Sequence, residues 1–402
     1  MVMLTMRQDF RAPAFGPASA QEIYAAAFEM WEWADAQRWT MAVVSEHHGV
    51  DDGWMPAPLT AAAMGLARTE RIAFHISASL APLHDPVRLA EQIAVIDNAY
   101  PGRLMTVFGA GYRVEEFEMA GVPHDERTAY LEEYVDVIIR ALTEDSFEWR
   151  GRTISVTPKP VTRPHPPLFL GGGVPAAARR AARLRIPMMA MNQNDKLQGA
   201  YAEEAAKIGF EGGFVIIPSG PTFVHVAEDP ERAWHEIGEY LFYETSTYAS
   251  FQTPGQTSTP VVHADDIAGL KQAPNLWVGT PDDIVARVQA DPSISQSTKQ
   301  AIQQGTTKGV AFVSTAQATQ LDTNNDLEVL LVEGTKAHNF VDAVDELGPE
   351  EVGGFTRQVG RHDQHGVGEV HRATLAVGQA SVVENLEQDV EDVGVGLFDF
   401  VE

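Results

Sequence analysis

The sequence predicts an α/β fold, a TIM-type (β/α)8 barrel over residues 1–290 with an irregular acidic tail over 291–402, and three observations carry that expectation. Short apolar runs alternate with helical periodicities along the first 290 residues. Four unusual polar or glycine-rich sequences follow those runs. The composition changes abruptly near residue 290. Repeated strand–helix alternation implies a parallel sheet flanked by helices, and eight such units close a barrel in ~250 residues.

The first unit begins near Met6. Ile23, Ala27, Met30, Trp31 and Ala34 then recur at steps of three and four, the apolar stripe of an amphipathic helix. Met41–Ser45 reads as the second strand and Ile72–Leu80 as the third. Such brief continuous runs suit strands covered on both faces. Leu89, Ile93, Ile96 and Tyr100 mark the next helix, Leu104–Phe108 the fourth strand, and Leu131, Val135, Ile138 and Leu142 another helix. Leu168–Leu170 is the fifth strand, followed by a helix over 176–184, and the sixth unit starts near Pro187. For the seventh strand, Gly213–Ile217 competes with Phe223–Val226. A last helix starts after Gly279-Thr280-Pro281, where Thr280 can cap and Pro281 sits at the first turn. The eighth strand should follow Ala290, but Asp-Pro-Ser-Ile-Ser-Gln-Ser-Thr is a poor strand, so the barrel is expected to close imperfectly there.

Composition narrows the partners. The formal net charge is −27, which repels phosphate backbones and anionic lipid, so neither nucleic acid nor a membrane surface is expected. There is no cysteine, hence no disulfide, thiolate zinc site or cysteine nucleophile. No basic segment precedes an apolar run at the N-terminus, and no run approaches the ~20 apolar residues of a membrane helix. A cytoplasmic protein is the expectation. Residues 291–402 lack Trp, Tyr and Met and hold 19 acidic against 6 basic residues. Their apolar content is mostly Val and Ala in short runs, which favours weakly packed, mobile elements and no second enzymatic domain. The one strand-like piece, 309–314, could serve as a makeshift eighth strand.

Barrel active sites form at the C-terminal ends of the strands. Ser45-Glu46-His47-His48-Gly49 follows the second strand, and Ser77-Ala78-Ser79 lies near the end of the third, before Pro82-Leu83-His84-Asp85-Pro86. Gly109-Ala110-Gly111-Tyr112-Arg113 follows the fourth, and Gly171-Gly172-Gly173-Val174-Pro175 follows the fifth. The three glycines let backbone N–H groups approach an anion at the start of a helix, which suits a phosphate; the plainer alternative is a simple strand–helix turn. Arg179, Arg180 and Arg183 on that helix read as solvated. Adjacent residues on an extended chain point opposite ways, so His47 and His48 do not share a metal ion, and no metal site is expected. One of them facing the mouth as hydrogen bonder or general base competes with a purely structural role. Gly109-Ala110-Gly111 fails the dinucleotide fingerprint because Val114 stands where its third glycine would fall. The spacing of His362, His365 and His371 does not match a metalloprotease helix.

These segments resemble the luciferase-like monooxygenase superfamily. The resemblance rests on Ser45–Gly49, the 82–92 segment, Gly102-Arg103-Leu104 and the 109–117 segment, and on Arg163-Pro-His-Pro-Pro-Leu168. It extends through the Gly171–Gly173 turn, Glu228-Asp-Pro-Glu-Arg-Ala-Trp234 and Val278-Gly-Thr-Pro-Asp-Asp283. It covers residues 6–290 and implies a TIM barrel binding FMN at its mouth, with the deazaflavin F420 as the alternative. It implies a non-proline cis peptide at Ser77–Ala78 and a catalytic role beside the flavin for His47. Ser77, Ala78, Gly109, Gly111, Arg113, Gly171, Gly172, Gly173 and Val174 are the implied cofactor-binding set. The activity implied is a two-component monooxygenase that takes reduced FMN from a separate flavin reductase and uses O2 on a small organic substrate, with a homodimer as one assembly. The alternatives are an F420-dependent dehydrogenase or reductase, and a flavin-binding protein without turnover because the barrel end is altered. The Glu-His-His form leans towards FMN. The family's closing segment is absent; over 374–396 the tail resembles sequences labelled NAD-specific glutamate dehydrogenase, a label that carries no weight here. The tail reads instead as a frameshifted, fused or misassembled end.

Overall fold

The computed structural model describes residues 5–218, 221, 223–252, 264–292, 294 and 299, and the backbone of three short strands at 310–312, 330–333 and 336–338. In chain order the strand β1 (Thr5–Gln8) leads to α1 (Ala20–Ala36), β2 (Met41–Val44), α2 (Pro58–Leu66) and β3 (Ala73–Ser79). Then come α3 (Pro86–Ala99), β4 (Leu104–Phe108), α4 (Val114–Ala120), α5 (Arg127–Thr143) and a hairpin of β5 (Phe147–Trp149) and β6 (Arg152–Ile154). β7 (Leu168–Gly172), α6 (Pro175–Arg183), β8 (Met188–Ala190), α7 (Lys196–Lys207) and β9 (Val215–Ile216) complete the repeat. Side-chain caps fix the helix starts. Ser19 forms a capping box with Glu22 at α1, and Asp85 accepts from the N–H groups of Val87 and Arg88 ahead of Pro86 at α3.

Seven strands form one sheet in the order β1-β2-β3-β4-β7-β8-β9, every pair parallel. Register gives its faces different characters. Pairing Met6 with Ala42, Ala42 with Phe74 and Phe74 with Leu104 lines one face with apolar residues. These residues join Trp31, Ile93, Val135 and Ile138 from the helix stripes in the main core. Arg7, Val43, His75 and Met105 share the other face, where all but His75 are only half-buried. Complete burial of a Leu- or Phe-sized side chain contributes about 1.5–3 kcal/mol, so the helix-covered face holds the sheet in its curl.

The competition for the seventh strand resolves in favour of both runs. Val215–Ile216 extends the main sheet beside β8. β10 (Phe223–Val226) pairs in parallel with β11 (Leu276–Gly279) in a separate two-stranded sheet. The apolar residues of β10 and β11 pack against α8 (Pro230–Ser250), α9 (Ile267–Lys271) and α10 (Pro281–Ala290) rather than into the barrel core. Thr280 and Asp283 form the expected capping box at α10.

Among the described residues no eighth strand pairs with β1 or β9, so the fold is a curled parallel half-barrel. The expectation that 309–314 closes it is corrected. The strand Val310–Phe312 pairs antiparallel with Leu330–Glu333, which pairs in turn with Lys336–His338. An antiparallel strand cannot continue the all-parallel ladder on its bonded edge. The expectation of a weakly packed, mobile tail over the rest of 291–402 lies outside the described residues. Among the described residues no helix is long and apolar enough to cross a membrane.

Candidate active site

The loop leaving β2 is fixed before its side chains are considered. Trp54 Nε1 donates to Ser45 Oγ at 3.1 Å, and the N–H of His47 donates to the Met55 carbonyl at 3.0 Å. Gly49 turns the chain at φ +60°, and a Cβ there would lie 2.6 Å from Met119 Sδ. Side chains alternate along this segment. His47 turns to α4, where its Nδ1 lies 2.9 Å from the Glu116 Oε1, which also accepts the His48 N–H at 3.0 Å. Glu116 is almost fully buried and sits in the first turn of α4, where a carboxylate is favoured by the helix dipole. With Nδ1 committed, Nε2 is the nitrogen of His47 left for an incoming molecule. The imidazole is boxed by Trp54 at 4.4 Å, Phe251 at 5.6 Å, and Tyr112 and Tyr248 at 6.0 Å between ring centroids. Burial pushes the Tyr248 hydroxyl up to about 12 and the Tyr112 hydroxyl well above its ordinary value, so both phenols stay protonated and neutral.

His48 turns the other way, its Nε2 donating to Glu46 Oε1 at 2.8 Å, and His84 Nε2 donates to the same oxygen at 2.6 Å. Glu46 Oε2 accepts from Ser79 Oγ at 3.1 Å and from the Leu80 N–H at 3.0 Å. Burial alone would raise this carboxyl, but the hydrogen bonds from His48, His84 and Leu80 hold it down at about 2. One carboxylate thus ties the ends of β2 and β3 together.

The peptide Ser77–Ala78 is cis. The N–H of Gly109 donates to Ser79 O at 2.8 Å, and a Cβ on Gly109 would come within 3.0 Å of Ala78 Cβ. One on Gly171 would come within 3.1 Å of Val107 Cγ1. Ser77, Ala78, Gly109, Gly111 and Gly171 are half-buried, so the ends of β3, β4 and β7 present a floor of backbone and small groups. Gly172 lies against α6, where a Cβ would be 2.6 Å from Ala177 Cβ. The Gly172 carbonyl accepts from Met191 N at 2.9 Å, and that of Gly173 from Asn194 Nδ2 at 3.0 Å. Val174 is exposed ahead of Pro175, the first residue of α6. Arg179, Arg180 and Arg183 pair with Glu203, Glu132 and Glu204 away from this turn.

Phe251 stands against both His47 and Arg113, Gly109 lies against Ala78 at the end of β3 and Gly111 against Phe117, and Gly171–Val174 stand at the neighbouring strand end. Arg113 takes a bracing position. Its guanidinium donates to the carbonyls of His48 and Gly49 and lies 4.6 Å from the centre of the Phe251 ring. Sequence reading misses Glu116, Glu46, the partnership of His84, and the aromatic wall from α8. Glu46 and His84 stood inside the segments singled out after the second and third strands but without a role, and Glu116 is one of two acids opening a helix after the glycine turn.

Helix α8 reaches the site through charge. Asp229 caps it, and Pro230 occupies its first turn. Near its end Tyr248 accepts from Arg7, Glu244 and Thr247 both accept from Arg11, and Tyr243 donates to Asp52 at 2.8 Å. Arg11 also binds Asp52 at 2.6 Å and lies 4.2 Å from the centre of the Trp54 ring. Burial, with Glu244 nearby, raises the Asp9 carboxyl to about 7.

A family model described as luciferase-like monooxygenase matches residues 10–293. The alkanal monooxygenase beta chain of Photorhabdus luminescens is 26% identical over 222 residues, 53% of this chain and 68% of that one. The FMNH(2)-dependent dimethylsulfone monooxygenase of Pseudomonas putida is 35% identical over 127 residues, 30% of this chain and only 35% of that one. Among solved structures, the monooxygenase RslO1 of Streptomyces bottropensis has a TM-score of 0.58 at 25% identity, covering 72% of this chain and 88% of its own. The oxygenating constituent of 3,6-diketocamphane monooxygenase from Pseudomonas putida, in complex with FMN, has a TM-score of 0.56 at 18% identity, with 72% and 88% covered. An F420-dependent secondary alcohol dehydrogenase has a TM-score of 0.53 at 17% identity, with 72% and 89% covered. The last two show the shared fold alone.

Proposed function

Because this chain belongs to the luciferase-like monooxygenase family, we propose that it is the oxygenase component of a two-component system. In this reading it receives reduced FMN from a separate flavin reductase in the cytoplasm and inserts one atom of O2 into a small, apolar organic substrate. The observation that carries the reading is His47, buried in an aromatic box and oriented by Glu116 in the loop after β2. Reduced flavin supplies the electrons for oxygen activation, and the protein supplies orientation and exclusion of water. Ser77, Ala78, Gly109 and Gly111 take one face of the flavin ring with Gly171 beside them, and Gly172, Gly173 and Val174 offer N–H groups to its phosphate at the start of α6. Arg113 holds the 48–49 loop over the ring. His47 Nε2 exchanges a proton with the reacting oxygen or the substrate.

The Glu46-His47-His48 sequence and the FMNH(2)-dependent relative favour FMN. The similarity to an F420-dependent dehydrogenase supports the second reading, hydride transfer without oxygen. The half-barrel without an eighth strand among the described residues supports a third, flavin binding without turnover. Oxygen uptake separates them. With FMNH2, O2 and a panel of apolar aldehydes and ketones, substrate-dependent oxygen consumption with an oxygenated product supports the monooxygenase. Oxygen-independent oxidation of an alcohol with F420 supports the second reading, and flavin bound without product supports the third.

A further inference from the structure

The adjacent imidazoles of His47 and His48 turn apart, one to Glu116 and the other to Glu46. That separation leaves His48 free to meet a third residue from another strand end. Glu46, His48 and His84 each bring one ligand atom into a group whose members all lie within 4.8 Å of one another. We propose that Glu46, His48 and His84 form a binding site for one divalent late first-row transition metal ion of the zinc class.

The donor set is two imidazole nitrogens and one carboxylate oxygen, the combination that suits Zn2+, Co2+ and Ni2+ rather than Mg2+ or Ca2+. Glu46 Oε1 lies 2.8 Å from His48 Nε2 and 2.6 Å from His84 Nε2. Ligand atoms about 2.0–2.2 Å from a shared ion stand roughly 3.0–3.5 Å apart, so each nitrogen need move back by only a few tenths of an ångström to about 1 Å. The carboxylate is already aimed. Its second oxygen is held by Ser79 Oγ and the Leu80 N–H, the outer-shell support that a metal-binding carboxylate needs. Glu46 is fully buried, whereas the side chains of His48 and His84 are 23% and 32% exposed. The ion would therefore be held from beneath by Glu46 and reached by solvent from the imidazole side, with room for water as a fourth ligand. This proposal does not rest on the flavin reading, because it concerns three side chains and no cofactor.

Calorimetric titration of tag-free, chelator-treated full-length protein with Zn2+, and visible absorption on titration with Co2+, tests it without any assay of turnover. Binding of one ion per chain is expected, with the Co2+ spectrum of a nitrogen- and oxygen-ligated site. His84→Gln and His48→Gln should each weaken it by about 100-fold or more, whereas His235→Gln, an exposed surface histidine, should leave it unchanged. The His84 side chain is partly exposed, so its variant keeps the test valid even where Glu46→Gln fails to fold. Absence of stoichiometric binding, or binding that survives His84→Gln and His48→Gln, would overturn the proposal and leave the cluster as a purely hydrogen-bonded brace.

Discussion

At the scale of single residues, His47 differs from its neighbour in what each nitrogen faces. Its Nδ1 is held by Glu116, which fixes the ring and leaves Nε2 towards the aromatic box, whereas His48 turns its Nε2 to Glu46. His47→Ala should lower turnover by about 10²–10⁴-fold, the range for loss of a positioned proton-transfer group. A larger loss from His48→Ala, with His47→Ala near normal in steady-state assays, would reverse the assignment. Two other histidines answer to pH. Burial lowers His75 and His225 to about 4 from 6.5. A neutral imidazole favoured by the fold contributes stability that is fully present above 6.5 and is lost as pH falls towards 4. Urea unfolding across that window should show a decline that His75→Leu makes shallower; an unchanged slope would mean that His75 keeps its ordinary affinity for protons. The residue types at the mouth were legible from their place after strand runs. Their pairings were not, because Glu116 is 69 residues from His47 and His84 is 38 from Glu46, and no local pattern encodes such contacts.

At the scale of elements, the helices were the most legible part. The stripes at Ile23–Ala34 and Leu131–Leu142 became core faces, as did Leu89, Ile93 and Ile96 of the stripe whose last member, Tyr100, caps α3 half-buried, and the Thr280 and Pro281 signals placed the start of α10. The role of α8 was hidden, since its anchor joins Arg11 to Glu244 across 233 residues. Removing Arg11 would leave Asp52 and Glu244 buried without their cation. Arg11→Ala should therefore cost about 3–5 kcal/mol in chemical denaturation, the usual penalty for breaking a buried ion pair. Retention of full stability would show that α8 does not depend on this anchor. Asp9 acts in the opposite sense to His75. Its carboxyl rises from 3.8 to about 7, so its contribution to stability is fully present below 3.8 and is lost as pH rises to 7. Asp9→Asn should slow amide exchange in α8 at pH above 7 relative to the unaltered chain, and no change there would remove Asp9 from the account.

At the scale of the whole molecule, register explains both the stability and the incompleteness of the barrel. One face of the sheet is sealed by helices, while Arg7, Val43 and Met105 on the other remain half-buried. The sequence after Ala290 already lacked the apolar run needed for an eighth strand, and the described strands do not supply one. The packed core nevertheless extends slightly beyond α10, because Ile294 is buried with Trp277, Ile284 and Val288. Limited proteolysis is expected to leave a resistant fragment ending just after that residue and to release the acidic segment, which has the composition of a weakly packed chain. A resistant full-length chain would establish the tail as a genuine second unit. The proposed site for reduced FMN at the mouth of this half-barrel is open to equilibrium titration under anaerobic conditions. Saturable binding of one FMNH2 per chain is expected, tighter than that of reduced F420. Gly173→Val should weaken this binding with the fold intact, and Gly173 is a better probe than Gly172, whose Cβ would meet Ala177 at 2.6 Å. No saturable FMNH2 binding, a preference for reduced F420, or affinity unaffected by Gly173→Val would contradict the proposed site.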